Sequence, residues 1–224
     1  VNITFKEGIN MRRLTAIIEE NTNNSSDDFY KLISNSEYLK ELIDKYWFLT
    51  DDILNEKIYY SLEGYLYPNT YFFNSKDVPI KTIITTMLDE TGKQLSKYKS
   101  EIENSSLSVH EILTMASMVE LEAVNSEDRN GVASVFYNRL DAKMTLGSDV
   151  TTYYGSKVDM GTKIDMSVCN DYNTRCASYI GLPIGPICNP SIISIEAVIN
   201  HKNTDYYYFV ADKNGDVYFS KNSN

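Results

Sequence analysis

The chain has 224 residues, 42% hydrophobic and 23% charged, which suits one large or two small globular domains and excludes disorder, collagen and coiled coil. With 21 Lys+Arg against 31 Asp+Glu the formal net charge is −10, and no Lys/Arg cluster offers the positive stripe that nucleic acid or an anionic bilayer needs, so neither is an expected partner. The longest apolar run, Ile112 to Val119, is far short of the ~20 residues a membrane-spanning helix requires, and the chain as given reads as soluble.

Val1 to Phe5 alternates apolar and polar, the pattern of a half-buried strand. After a turn at Lys6-Glu7-Gly8, Asn10 caps a helix over Met11–Glu20 with Leu14, Ile17 and Ile18 on one face. Ser26, followed by Asp27 and Asp28, opens a second helix, since acidic residues suit a positive helix N-terminus, and Glu37 to Trp47 is a third helical pattern. Ile58 to Phe73, dense in aromatics and broken by Gly64 and Pro68, predicts extended segments with a turn. Pro79 to Tyr98 predicts a long amphipathic helix with Pro in its first turn. The capping box Ser108-Val109-His110-Glu111 launches a helix to about Ala123, and Ser126 caps another to about Ala142. Loop follows through Pro190, then a helix over Ile192–Asn200. Tyr206–Ala211 and Val217–Ser220 flank Asn214-Gly215 as a hairpin whose aromatics are expected in the core and in cross-strand pairs.

Cys169, Cys176 and Cys188 are spaced by seven and twelve with no C-x-x-C and no nearby His, so no metal is expected. A local Cys169–Cys176 disulfide and free thiols both stay open. The first residue is Val1 rather than Met, which reads as a processed or trimmed piece.

The helix Val109–Ala123 is the most informative element. Ile112, Met115, Ala116 and Val119 form an apolar face, while Glu111, Met118 and Glu122 align on another edge that reads as a solvated stripe. Glu120 lies about 200° from Glu122 at 3.6 residues per turn, on the flank of the buried face. A carboxyl in partly apolar surroundings is desolvated and holds its proton closer to neutral pH, as a general acid on a glycosidic or acyl leaving group must. The competing reading is a core ion pair with Arg129 or Arg139, and the pattern alone favours it.

The run ASMVELEAVNSEDRNGVASVFYNRL (Ala116–Leu140) resembles the signature of the endolytic murein transglycosylase, YceG-like family. LEGYLYPNTY (Leu62–Tyr71), YNTRCASYIGLPIGPICNPS (Tyr172–Ser191) and TDYYYFVADKNGDVYFS (Thr204–Ser220) match further segments in the same order. VNITFKEGINMRRLTAII is similar to the small LysM-like subdomain that precedes the family's catalytic part. The resemblance implies an α+β fold, with a LysM-like subdomain over residues 1–50 and a mixed α/β catalytic domain with a glycan-binding cleft over 51–224.

The implied activity is lytic cleavage of the β-1,4 bond between N-acetylmuramic acid and N-acetylglucosamine within nascent strands, without water, leaving 1,6-anhydro-muramyl ends and terminating elongation. No cofactor or metal is implied. Peptidoglycan strands are the implied substrate and the peptidoglycan synthesis machinery the implied partner. The implied location is the cell-wall side of the membrane, held by an N-terminal anchor absent from this chain.

The resemblance puts the catalytic glutamate on Glu120, acting as acid and then as base. Glu63 and Tyr65 of the E-G-Y run are implied to line the cleft, with Glu63 alternatively a turn carboxylate. Asn138 and Arg139 end a helix, where Arg139 either meets a carboxylate of the site or caps the helix. Ser148, Asp149 and Thr152 match an S/T-D-P-T stretch expected to bind sugar hydroxyls, with Val150 replacing Pro and Gly147 replacing Gln. Asn173 and Thr174 match Y-N-T, and the Gly181–Pro190 segment reads as a rigid structural loop. Two rival readings are a non-catalytic wall-binding or scaffolding module, and a water-using muramidase with Glu63 as second carboxylate.

Overall fold

The alternation at the N-terminus is realised as β1 (Asn2–Thr4), with Ile3 and Phe5 buried and Asn2 and Thr4 exposed. It pairs antiparallel with β2 (Thr70–Phe72), register Ile3↔Tyr71, inside the segment expected to be extended. The computed structural model describes residues 1–223. These form two compact units: Val1–His110 with Cys188–Ser191, and Glu111–Ile187 with the chain from Ile192 on. The first unit contains residue 50, where the sequence reading sets its subdomain boundary.

In the first unit α1 (Met11–Asn21) starts where Asn10 Oδ1 accepts the Arg13 N–H at 3.1 Å, and it buries Met11, Leu14 and Ile18. The next helix, α2 (Ser26–Ile33), is capped by Ser25 rather than Ser26: the Ser25 hydroxyl accepts the Asp28 N–H, while Ser26 donates to Glu19. Asn35 caps α3 (Ser36–Lys45) in the same way. Pro79 precedes α4 (Ile80–Ser96), which stops two residues earlier than its pattern predicts, and a short α5 (Lys99–Glu103) follows. Part of the aromatic-rich composition is interior: Tyr38, Tyr46, Tyr65 and Tyr71 are all buried here.

Helix α6 (Val109–Glu122) supplies only Val109 and His110 to the first unit. It is buried on every side from Ile112 to Val119, as a helix apolar all round should be, so Met118 is core and the edge it shares with Glu122 is no solvated stripe. Glu111 on that edge is exposed as expected. In the second unit a 3-10 turn (Ser126–Asp128) delays α7 to Arg129–Asp141. The stretch read as loop contains α8 (Asp149–Gly155), and α9 (Ile192–Ile199) follows it. The hairpin β3 (Tyr208–Ala211) and β4 (Val217–Ser220) pairs Phe209 with Phe219, and Phe136 of α7 meets Phe209 edge-on at 6.0 Å. A Cβ on Gly131 would lie 2.3 Å from the Phe219 ring, so glycine is what lets the hairpin close on α7. The architecture is mixed and helix-rich with two small antiparallel sheets, and among the described residues no helix is long and apolar enough to cross a membrane.

Candidate active site

The last turn of α6 carries two carboxyls with different surroundings. Glu120 is 5% exposed; its Oε2 meets Arg129 Nη1 at 3.3 Å and accepts a short hydrogen bond from the Ser194 hydroxyl. Arg129 opens α7 and Ser194 sits in the first turn of α9, so this cluster ties three helices together. Of the two readings the sequence offers for Glu120, the core ion pair with Arg129 is present.

Glu122 projects from another side of the same helix, as two residues of separation require. Its Oε1 accepts the Ser148 hydroxyl at 2.5 Å. Burial pushes its carboxyl above the usual range; the Ser148 hydrogen bond opposes that shift and the charge of Asp149 adds to it. Glu122 is thus a desolvated carboxyl with a fixed hydroxyl partner.

Ser148 is itself held by its backbone. Its N–H donates to Thr174 Oγ1 at 3.0 Å, and the Gly147 N–H donates to the Thr174 carbonyl at 3.0 Å. Gly147 has φ +62°, a conformation that favours glycine. Thr151, unnoticed in the sequence, donates to the Ser148 carbonyl and shares a hydrogen bond with Thr174. Thr152 donates to Asn173 Oδ1 at 2.7 Å, and Asn173 Nδ2 donates to the carbonyls of Met166 and Val168. Asp149 is exposed and ion-paired with Arg175. The family-matched residues Ser148, Asp149, Thr152, Asn173 and Thr174 therefore gather into one network, and the carboxyl at its head is Glu122. Thr152, Asn173 and Thr174 are wholly buried, so their work is to shape the loop rather than to meet a sugar.

Asn138 and Arg139 act on backbone. Asn138 Nδ2 donates to the carbonyls of Thr204 and Tyr206 at 2.9 and 2.8 Å. Arg139 donates to Tyr207, Thr145 and Leu146 carbonyls and lies over the Tyr208 ring. Both staple the run leading into β3, and Arg139 also pins the approach to Ser148.

Glu63 and Tyr65 belong to the first unit and are interior, at 1% and 0% exposure. Glu63 Oε2 accepts the N–H of Met11, the first residue of α1, where a carboxylate suits the helix terminus. Asn189 Nδ2 reaches the other Glu63 oxygen and the Ile9 carbonyl, while Asn189 Oδ1 accepts the Gly64 and Leu66 N–H groups. The Tyr65 hydroxyl meets His110 Nδ1 at 2.6 Å. Cleft lining is thus corrected to capping for Glu63 and to core packing for Tyr65, and a second carboxylate is not available from Glu63.

Cys169 and Cys176 form a disulfide with Cα atoms 5.3 Å apart, and Cys188 is a buried thiol. Among the described residues no group of three His, Cys, Asp or Glu side chains is arranged to hold a metal ion.

A buried helix ending in a desolvated carboxyl, backed by a polar loop, is the equipment of an acid–base site. The chain belongs to the YceG-like family, whose model matches residues 1–224. It is 38% identical over 222 residues to the endolytic murein transglycosylase of Bacillus subtilis (strain 168), covering 98% of this chain and 61% of that protein. It is 35% identical over 208 residues to the endolytic murein transglycosylase of Streptococcus pneumoniae serotype 2 (strain D39), covering 88% of this chain and 37% of that one. The crystal structure of a yceG-like protein from Listeria monocytogenes superposes with a TM-score of 0.92 at 37% identity, covering 99% of this chain and 73% of that one. The chain spans about three fifths of the Bacillus relative and under two fifths of the streptococcal one.

Proposed function

We propose that this chain is the catalytic part of a lytic transglycosylase that cuts the N-acetylmuramic acid β-1,4 N-acetylglucosamine bond within nascent glycan strands. The product is a 1,6-anhydro-muramyl end, which cannot be extended, so cleavage terminates the strand. Family membership supports the class. The observation that carries the site is the convergence of the family-matched residues on one desolvated carboxyl, Glu122, through Ser148.

One carboxyl acts twice. As the acid it gives its proton to the leaving sugar oxygen while positive charge develops at C1 of the muramyl ring. As the carboxylate it takes the proton from the C6 hydroxyl, whose oxygen closes onto C1. No water enters, and the carboxyl ends protonated for the next cycle. The acid form is needed first, and burial favours that form in Glu122. Glu120 is instead engaged with Arg129 and Ser194, contacts that tie α6 to its neighbours. We therefore assign the proton transfers to Glu122 rather than to Glu120, where the family resemblance put them, and give Glu120 the task of fixing α6 to α7 and α9.

The same reading includes a LysM-like module at the N-terminal end, a location on the cell-wall side of the membrane behind an N-terminal anchor, and work beside the peptidoglycan synthases. The test is mass spectrometry of uncrosslinked strands digested by the wild type, by Glu122→Gln and by Glu120→Gln. Expected are anhydro ends from the wild type and from Glu120→Gln, and none from Glu122→Gln. Ends heavier by one water would overturn the lytic mechanism in favour of a muramidase. A wild type that binds strands and releases nothing would return the chain to a wall-binding scaffold. Loss of product in Glu120→Gln alone, with its fold intact, would move the acid to Glu120.

A further inference from the structure

We infer that the Cys169–Cys176 disulfide is a positioning element of the Glu122 site, holding Asn173 and Thr174 in the register that seats Ser148 against the carboxyl. This rests on the lytic reading of that site. Between the two cysteines lie the groups that grip the neighbouring segment. Asn170 Oδ1 accepts the N–H groups of Tyr172 and Asn173, both at 2.9 Å, folding the loop back on itself. Asn173 Oδ1 then accepts the Arg175 N–H and the Thr152 hydroxyl, and Thr174 takes the Ser148 N–H on its hydroxyl while its own N–H donates to Thr151. With its backbone fixed this way, Ser148 has its hydroxyl directed at Glu122.

The outer arm of this loop is held to it by hydrogen bonds and by the disulfide. Ser167, Val168 and Cys169 are exposed and lie outside any helix or strand, and Asn173 Nδ2 reaches back to the Met166 and Val168 carbonyls. Cys176 is buried at the foot of the loop, beside Thr174. The covalent bond therefore joins an exposed arm to the anchored residues, and opening it leaves the Asn173 hydrogen bonds alone to hold that arm. Because Cys169 is exposed, a reductant reaches the bond from solvent. A phosphine supplies two electrons, water supplies two protons and an oxygen, and the products are two thiols and the phosphine oxide.

The experiment compares the oxidised chain, the chain reduced with tris(2-carboxyethyl)phosphine, Cys169→Ser/Cys176→Ser, and Asn173→Ala with its disulfide intact. Amide hydrogen exchange at Gly147, Ser148 and Thr174 is read beside kcat and KM for anhydro-end release. On reduction those three amides should exchange faster while α1 and α4 keep their protection, and kcat should fall about 10- to 100-fold with KM within about twofold, the signature of a misplaced catalytic group. Reoxidation should restore both readings, and Asn173→Ala should reproduce the loss without touching the cysteines. Unchanged exchange in the reduced chain would overturn the positioning, whatever the activity. Faster exchange with full kcat would show a loop that the chemistry ignores, and would overturn it equally. An oxidised chain that makes no anhydro ends, yet shows the same exchange response, would refute the enzyme reading and leave the positioning of Ser148 standing.

Discussion

The two glutamates of α6 should separate when stability and activity are measured on the same variants. Glu120 and Arg129 are 5% and 10% exposed and 3.3 Å apart, so solvent screens them little. Breaking a buried pair by neutralising one partner costs about 3–5 kcal/mol, because the other charge is left without its counter-ion. Glutamine keeps an oxygen for Ser194 and Arg129, which argues for the low end, about 3 kcal/mol. For a chain of this size that is a fall in Tm of roughly 6–12 °C. Glu122→Gln should do the reverse: the amide still accepts from Ser148, and a carboxyl that burial disfavours has been removed, so Tm at neutral pH should hold or rise.

The effect of Glu122 also has a sign in pH. Its folded-state carboxyl binds its proton more tightly than the unfolded one, whose ordinary value is 4.5. Its contribution is therefore fully favourable below about 4.5 and is lost as pH rises through the raised folded value. The Tm difference between Glu122→Gln and wild type should be near zero at pH 4, grow in favour of the variant above pH 4.5, and level off once the native carboxyl ionises. Calorimetry from pH 4 to 8 reads both effects. A Glu120→Gln variant as stable as wild type, or a Glu122→Gln variant that loses stability as pH rises, would refute the division of labour between them.

Other residues carry clear expectations. Asn189→Ala removes the acceptor for the Gly64 and Leu66 N–H groups and the donor to Ile9, at about 1–3 kcal/mol for each orphaned group, and urea unfolding should show the loss. Tyr65→Phe loses only the 2.6 Å bond to His110, so stability should fall by about 1–2 kcal/mol while KM stays put, because the ring is interior. Gly131→Ala forces the Phe219 ring from its place between Tyr206 and Phe209, at about 1–3 kcal/mol, visible in near-ultraviolet circular dichroism.

Local signals in the sequence served the elements that local chemistry decides. Asn10 as a cap, Pro79 ahead of a helix and Asn214-Gly215 between two aromatic strands each act within a few residues, and each is where it was expected. The hairpin connection is nonetheless longer than a two-residue turn, closing with Asp212 N–H on the Asp216 carbonyl. Helix α8 was illegible because Asp149–Gly155 is rich in Thr and Tyr and has no apolar period; it is held by Thr151 and Thr152 bonding to Ser148, Thr174 and Asn173. Glu63 and Tyr65 carry a family motif, but the motif does not say that one caps α1 and the other fills the core. The disulfide stayed open because seven residues of separation permit it without requiring it.

The glutamate assignment shows what a helical wheel can and cannot decide. The wheel marked Glu120 as out of place among apolar neighbours, and it is almost dry, but dryness alone does not make an acid: a guanidinium came with it. The same wheel put Met118 and Glu122 on one edge. Met118 is fully buried, and a methionine four residues before a glutamate was the sign that this edge faces protein rather than water. What the wheel lacked was the partner on each side. Arg129 arrives from α7 against one carboxyl, whereas Ser148 arrives from a disulfide-bounded network and gives the other, which burial pushes upward, a hydroxyl partner. Two residues along α6 therefore sit against a guanidinium in one case and a hydroxyl in the other, and only tertiary structure tells the two surroundings apart.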